Sequence, residues 1–210
     1  MAHHVMLDLR AGGLLKFSPK LWAETPALPL EKDHSVLRYP AQSNDIRRFP
    51  GETHPVDLTR YPIGTQHEDF VMLIDDPKQK LGWVTALRQN SGDIAVLVKA
   101  VSFLPQTMMW FSNGGRSSAP WNGEHVGVLG IEEACSLGIE GRAASAAPNR
   151  LTARGIATAI DLGSQGTVSV ATAMGAFACA ALTPQSLMLG AETIRLDDGT
   201  LVPFHSAHFG

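Results

Sequence analysis

Two glutamates offer the clearest candidates for acid–base chemistry in this sequence. Glu132 and Glu133 are adjacent and come at the end of an apolar run. Because successive side chains of a strand point to opposite faces, one carboxylate is expected to face inward and the other outward. A carboxylate in a partly apolar pocket has a raised pKa, which suits a general base. The alternative is that both face solvent, as glutamates at strand ends ordinarily do.

Two histidines precede a second apolar run near the start of the chain. His3 and His4 come directly before Val5 to Leu9. The same alternation allows at most one of the two imidazoles to face a given pocket. Histidine titrates near neutral pH and can give or take a proton there. Beside the first methionine, such a pair is also typical of a frayed terminus or the remnant of a tag.

A loop rich in Gly, Ser and Asn connects two tryptophans, Trp110 and Trp121. Their rings suit the C–H face of a sugar, because an aromatic side chain offers a large apolar surface. The amides of Asn113 and Asn122 and the guanidinium of Arg116 would then form hydrogen bonds to its hydroxyls. The alternative is a structural connection that the two tryptophans anchor.

A polar cluster, Gln-His-Glu-Asp, lies directly before the apolar run Phe70 to Ile74. His67 and Asp69 are its candidate site residues, although such a cluster is most often a turn. A metal site formed by one N-terminal histidine, His67 and Glu132 is a further alternative. Its spacing matches no metal-binding pattern, so no metal or cofactor is expected.

Strands are predicted to position all of these side chains. Short apolar or alternating runs recur between turn signals, and the 20 Gly and 13 Pro residues are many for a helical protein. A helix over Ala171–Ala181 is an alternative that Gly175 weakens. The predicted strands are Val5–Leu9, Leu14–Phe17, Phe70–Ile74, Trp83–Arg88, Ile94–Val98, Met108–Phe111, Val126–Ile131, Ile156–Leu162 and Thr167–Ala171.

This spacing of strands predicts an all-β chain, an antiparallel sandwich or barrel, in a single domain over residues 1–210. Most of the proline-rich stretch from Ser18 to Gln66 is expected to be ordered loop, and loops of that length usually carry function or cover a site. Cys135 and Cys179 are too few for a disulfide framework and are predicted to be buried thiols.

Composition disfavours several classes of function. Lys plus Arg number 17 against 20 for Asp plus Glu, and the net charge of −3 comes with no basic track for a nucleic acid. No apolar stretch is long enough to span a membrane, and the N-terminus lacks the pattern of a signal peptide. The sequence therefore predicts a cytoplasmic protein without nucleic-acid or membrane partners.

Taken together, these motifs resemble the galactose mutarotase-like family, which includes the aldose 1-epimerases. The most specific similarity is the block Trp110 to Gly115, followed by Pro120 to Gly123 and by the strand that ends in Glu132. A second similarity is the strand led by His4, in which leucine follows five residues after the histidine. Ser145 to Leu151 and later segments are similar to the C-terminal strands of the family.

The resemblance implies a β-supersandwich and the interconversion of sugar anomers without metal or cofactor. Glu132 would be the general base and His4 the general acid, acting on a monosaccharide or sugar phosphate. The implied substrate-binding residues are His3, His67, Asp69, Trp110, Asn113, Arg116, Trp121 and Asn122. Arg116 and Arg60 are candidates to bind an anionic group on the sugar. His125 precedes the Glu132 strand and is the loop histidine best placed to reach the site.

The sequence departs from the family pattern in two places. The part that precedes the histidine strand in related enzymes, about a third of their chain, is absent, so a homodimer is expected to cover an open sandwich face. In strict register His67 replaces the sugar-binding aspartate of the family, which leaves Asp69 as its substitute. The competing hypothesis is a carbohydrate-binding or regulatory module that has the same fold but no turnover.

Overall fold

A computed structural model of the chain describes residues 2–163, 166–178, 188–189, 193–195, 199 and 201–203. Strands dominate these residues. In chain order the strands are β1 (Ala2–Asp8), β2 (Gly13–Phe17), β3 (Lys20–Glu24), β4 (Gln42–Ser43), β5 (Arg60–Tyr61), β6 (His67–Asp75), β7 (Leu81–Arg88), β8 (Asp93–Ala100), β9 (Gln106–Asn113), β10 (Val128–Ala134), β11 (Thr172–Ala178), β12 (Met188–Leu189), β13 (Thr193–Arg195) and β14 (Leu201–Pro203). One short helix, α1 (Gly141–Ala146), lies between two 3₁₀ helices, Gly138–Glu140 and Thr152–Arg154.

The strands form two large antiparallel sheets and one small one. The six-stranded sheet has the order β1-β10-β9-β6-β3-β4, and the five-stranded sheet has the order β11-β8-β7-β2-β5. Strands β12, β13 and β14 pair in a separate three-stranded sheet. The predicted all-β, antiparallel sandwich is therefore confirmed. None of the helices in the described ranges is long and apolar enough to cross a membrane.

The main core lies between the two large sheets. Val71, Met109 and Ile131 of the six-stranded sheet pack in one cluster with Val84 and Leu97 of the five-stranded sheet. This side of the six-stranded sheet is called the inner face. Along each strand these core residues alternate with residues that point away from the core, because the side chains of a strand have a period of two residues.

A network of four charged side chains is buried on the inner face. Lys99 Nζ lies 2.8 Å from Asp75 Oδ2 and 2.5 Å from Glu133 Oε2, and Lys20 Nζ lies 2.5 Å from Asp75 Oδ1. Each of these side chains is at most 2% exposed. Buried charges are tolerated when they are paired and hydrogen-bonded, and here two cations balance two anions.

The opposite side of the six-stranded sheet, called the outer face, is partly covered by the segment that follows β10. Phe70, Met72 and Met108 project from this face and pack against Leu151 and Ile156. Arg150 holds the segment in place, since its Nη2 lies 2.7 Å from Glu24 Oε1 on β3 and 3.0 Å from Glu140 Oε1. Strand β1 and the middle of β10 lie outside this cover.

Most strand predictions are confirmed, and two are wrong. Ile156–Leu162 forms no strand, because Gly155 turns the chain at a φ of 76° and Thr158 is held by hydrogen bonds to Asn149 and Ser145 rather than by a ladder. Thr167–Ala171 precedes a strand instead of forming one. The preference for strand over helix in the alanine-rich stretch is confirmed by β11, which spans Thr172–Ala178, while residues 179–181 of that stretch lie outside the described residues.

The long segment before β6 is mostly loop, as predicted, and contributes only the short strands β3, β4 and β5. Asp69 anchors it: the backbone N–H groups of Val36 and Leu37 and the Tyr39 hydroxyl all donate hydrogen bonds to its carboxylate. Cys135 is a buried free thiol, as predicted, while Cys179 lies outside the described residues.

Candidate functional site

The outer face of the six-stranded sheet brings together the histidine and the glutamate that the sequence singles out. His4 on β1 lies directly opposite Glu132 on β10 in the antiparallel register. Directly opposite residues project from the same face, and His4 Nδ1 lies 3.6 Å from Glu132 Oε1. The His4 side chain is 45% exposed and that of Glu132 is 22% exposed, so both can reach a ligand from solvent.

A glycine leaves a depression beside this pair. Gly130 precedes Glu132 by one position on the same face and lies between Met6 on β1 and Trp110 on β9. A Cβ atom at Gly130 would lie 3.2 Å from Met6 Sδ and 3.2 Å from Trp110 Cβ, which is tighter than ordinary contact. The absence of a side chain here therefore leaves the two neighbours room to pack closely and keeps the surface between them low.

An aromatic cluster continues the outer face from Trp110. The His125 ring stacks on Trp110 with centroids 5.2 Å apart and lies 5.0 Å from the Trp121 ring. The Arg116 guanidinium lies 5.4 Å from the Trp110 centroid and 5.0 Å from that of Trp121. Cation–π contacts of this kind hold the guanidinium between the rings. The cluster offers aromatic faces and polar groups next to the depression at Gly130.

Arg116 is already balanced by two carboxylates. Its Nε lies 3.8 Å from Glu31 Oε1 and 3.9 Å from Glu68 Oε1. A guanidinium placed between two carboxylates adds no net positive charge to a ligand. This geometry does not favour Arg116 as a receptor for a phosphate or sulfo group. Arg60, the second candidate, is paired with Asp57 at 3.4 Å.

Glu68 is a buried residue of the outer face that the sequence analysis did not single out. The Trp110 indole N–H donates a short hydrogen bond to its carboxylate, and the Ser112 hydroxyl donates to Oε2 at 2.8 Å. Burial raises the pKa of Glu68, although these two donors, Arg116 and His125 oppose the shift. Its place in the Gln-His-Glu-Asp cluster was the only sequence signal.

Glu68 and Glu132 do not form one pair of catalytic carboxylates. Glu68 is level with Ser112 of β9, whereas Glu132 is level with Met108 of the same strand. At about 3.3 Å per residue, this offset separates their Cα atoms by about 13 Å along the strand direction, and β9 also lies between them. Glu132 therefore belongs with His4, and Glu68 belongs with the aromatic cluster.

His67 and Asp69 lie on the inner face, away from the other candidate binding residues. Both are at most 1% exposed, and His67 Nδ1 lies 2.9 Å from Asp69 Oδ2. Their position on β6 is offset by one residue from Glu68, so alternation sends them to the opposite side of the sheet. These two residues therefore lie between the two large sheets, where Asp69 accepts hydrogen bonds from the long segment that precedes β6.

The remaining candidates take up structural positions around the loop. Asn113 donates a hydrogen bond from Nδ2 to the Gly64 carbonyl and accepts one from the Gly127 N–H, so its amide braces two loops. Asn122 is exposed and donates only to the Pro120 carbonyl, at 3.4 Å. The backbone of His3 pairs with Glu133 in the β1–β10 ladder.

Neither a metal site nor the cavity next to β10 offers an alternative set of reactive groups among the described residues. The described residues contain no group of three His, Cys, Asp or Glu side chains that could hold a metal. His67 and Glu132 project from opposite faces and cannot share an ion. A cavity of about 500 Å³ beyond β10 is lined by residues such as Cys135, Arg142 and Thr158, and none of the described residues in its wall carries a carboxylate or an imidazole.

The site's geometry thus contains one solvent-accessible acid–base pair, His4 and Glu132, and one aromatic cluster next to it. Comparisons with models of known protein families, with curated proteins and with solved structures found no match. The function therefore has to be inferred from the site's own residues.

Proposed function

We propose that the outer face binds a monosaccharide and interconverts its anomers by general acid–base catalysis. The observation that supports this proposal is the His4–Glu132 pair, which lies beside the depression at Gly130 and the ring of Trp110. A pyranose ring that stacks on the aromatic cluster would have its anomeric carbon near the pair. The balanced charge of Arg116 favours a sugar without an anionic group.

The proposed reaction needs one base and one acid. The Glu132 carboxylate takes the proton of the anomeric hydroxyl while protonated His4 gives a proton to the ring oxygen. The C1–O5 bond breaks as the C1=O1 double bond forms, and rotation about C1–C2 exposes the other face of the aldehyde. Ring closure returns both protons, so the reaction consumes no cofactor or oxidant and leaves the enzyme in its starting state.

The resting distance between the two groups suits this role. At 3.6 Å, His4 Nδ1 and Glu132 Oε1 are further apart than a hydrogen bond requires, so neither is locked to the other. Partial exposure keeps both in contact with solvent until a ligand arrives. His4 Nε2 also lies 3.0 Å from Met6 Sδ, which orients the ring along β1.

The test is the rate of mutarotation, followed by polarimetry or NMR exchange, for a panel of neutral and phosphorylated aldoses. The parent protein should accelerate the reaction for a neutral aldose, and Glu132→Gln should lower the rate about 100-fold or more with little loss of binding. Glu52→Gln, which changes an exposed loop carboxylate, is the matched control and should leave the rate unchanged. No acceleration with any sugar of the panel contradicts the proposal.

A carbohydrate-binding module without turnover is the second candidate. The observation that favours it is the aromatic cluster around Arg116, which is built without either member of the acid–base pair. This hypothesis predicts sugar binding that Glu132→Gln does not weaken and no mutarotation by the parent protein. Binding measured by calorimetry beside the rate assay separates the two functions.

A further inference from the structure

A chain of three polar groups connects β6, β9 and the loop before β10 on the outer face. The Ser112 hydroxyl donates to Glu68 Oε2 at 2.8 Å, and His125 Nδ1 lies 2.7 Å from the same hydroxyl oxygen. Ser112 and Glu68 are both fully buried. The Ser112 hydroxyl also lies 3.4 Å from the His125 carbonyl oxygen, a longer contact than the one to Glu68.

The hydroxyl of Ser112 has a single hydrogen, and its direction fixes the tautomer of His125. An ionised carboxylate can only accept, and it is a stronger acceptor than a neutral imidazole. The hydrogen of Ser112 therefore goes to Glu68, and the hydroxyl oxygen has to accept from His125. His125 consequently carries its hydrogen on Nδ1 and keeps a lone pair on Nε2.

The second oxygen of Glu68 is also an acceptor, as expected of an ionised carboxylate. The Trp110 indole N–H bonds Oε1, and an indole nitrogen can only donate. Both carboxylate oxygens of Glu68 thus act as acceptors. His125 Nε2 has no hydrogen-bond partner among the residues that the structure describes, and its ring stacks on Trp110 beside the depression at Gly130.

We propose that His125 is a specificity-determining residue of the sugar site, held by Ser112 and Glu68 so that Nε2 accepts a hydrogen bond from a sugar hydroxyl away from the anomeric carbon. The tautomer follows from the hydrogen bonds made by an ionised Glu68, whereas the contact with a sugar rests on the proposed function. Glu68 and Ser112 are positioning residues, because both are buried and reach the ligand only through His125.

The first experiment determines the tautomer by long-range ¹H–¹⁵N NMR of the histidine side chains at about pH 8, because burial raises the pKa of Glu68 and a higher pH favours its ionised form. His125→Asn identifies the His125 signals. Nε2 should be the unprotonated nitrogen in the parent protein. A protonated Nε2 overturns the proposal.

Glu68→Gln tests the chain with a side chain of the same shape. The glutamine oxygen has to face the Trp110 N–H, so its NH₂ group faces Ser112. The Ser112 hydroxyl then accepts from Gln and donates to His125 Nδ1 at 2.7 Å, a shorter contact than the 3.4 Å to the His125 carbonyl oxygen, and the imidazole hydrogen moves to Nε2. The expected result is a reversed tautomer in a folded protein. An unchanged tautomer in this variant overturns the role of Glu68 and Ser112.

The second experiment titrates D-glucose, D-galactose and their monodeoxyfluoro analogues, in which fluorine cannot donate a hydrogen bond. One fluoro analogue should bind the unmutated protein about 2- to 10-fold more weakly than the corresponding unmodified sugar. This difference in affinity should vanish in His125→Ala but persist in the control His54→Ala, which changes an exposed loop histidine. Sugar binding that His125→Ala leaves equally selective overturns the specificity role. If neither sugar binds, the proposed function fails, while the NMR result still decides the tautomer.

Discussion

The network of charges buried between the sheets predicts that Lys99→Met is strongly destabilising. The substitution removes a cation that lies 2.8 Å from Asp75, 2.5 Å from Glu133 and 2.7 Å from the Thr107 hydroxyl. Asp75 keeps Lys20 as a partner, but Glu133 is left as a buried carboxylate with only the Thr107 hydroxyl as donor. Removing one partner of a buried ion pair lowers the free energy of unfolding by about 3–5 kcal/mol, which is a large share of the roughly 5–15 kcal/mol that stabilises a domain.

Chemical denaturation of the parent, the single variants and the double variant tests this prediction. Replacing both Lys99 by Met and Glu133 by Leu removes the uncompensated charge and leaves the Lys20–Asp75 pair intact, so the double variant should recover about 1–3 kcal/mol relative to the sum of the singles. Lys78→Met, at an exposed lysine, should stay within about 0.5 kcal/mol of the parent. A Lys99→Met variant as stable as Lys78→Met, or a double variant without coupling, contradicts the role given to Lys99 in the buried network.

Three further predictions concern pH, the depression and the loop. Burial alone would raise the pKa of Asp75, but the two lysines of the network hold this pKa below its usual value. The unfolded chain therefore binds more protons than the folded chain as the pH falls, and the stability that the Asp75 carboxylate contributes is lost. The difference in unfolding free energy between the parent and Asp75→Asn should narrow in urea titrations below about pH 4, and a constant difference would count against the network. Gly130→Ala should weaken sugar binding measured by calorimetry, because the new Cβ would lie 3.2 Å from Trp110 Cβ and would fill part of the depression. The unfolding free energy of this variant should change little. Gly115→Ala should lower the melting temperature, because the new Cβ would lie 2.4 Å from the carbonyl carbon of His67 and would push the Arg116 loop away from β6. An unchanged melting temperature would show that the loop does not pack against β6 in this way.

Strands that alternate in polarity could be predicted from the sequence alone. β7, β8 and β9 lie where apolar runs end at turn residues, and the block from Trp110 to Glu132 indeed spans two neighbouring strands, β9 and β10. Local patterns suffice for these elements because one sheet face is apolar. The partner of β10 on its other side, β1, is far away in sequence, so the register that sets His4 opposite Glu132 is a property of the tertiary fold.

The faces of β6 could not be predicted in the same way. All nine residues of this strand are buried, from both sides of the sheet, so their burial does not alternate. His67, Glu68 and Asp69 are all polar, and nothing local says which of them faces the core. Only the register with Ser112 and Phe111 of β9 assigns Glu68 to the outer face and Asp69 to the inner face. For this reason His67 and Asp69 were predicted as site residues from the sequence, whereas Glu68 was not.

The segment after β10 shows a second limit of local patterns. Ile156 and its neighbours are apolar enough to read as a strand, yet Ile156 packs on the outer-face cluster as part of an irregular connection. The structure of this segment depends on the apolar surface of Trp22 and Phe70, against which it packs. It also depends on side-chain hydrogen bonds of Asn149, which take the place of a strand ladder. Contacts between residues far apart in the sequence produce no periodic pattern within the segment, so its structure could not be predicted from local sequence.

The adjacent residues Glu132 and Glu133 connect the stability of the fold with the chemistry proposed for it. Glu132 points outward to His4, and Glu133 points inward to Lys99. A slip of β10 by one residue would exchange their faces and turn the core residues Leu129 and Ile131 outward. In one direction of slip Glu132 would take the place of Glu133 beside Lys99, whereas in the other Lys99 would lose its partner and Glu132 would be buried without a cation. The apolar residues of the inner face, together with the buried charges, therefore help to fix the register that places the acid–base pair on the outer face.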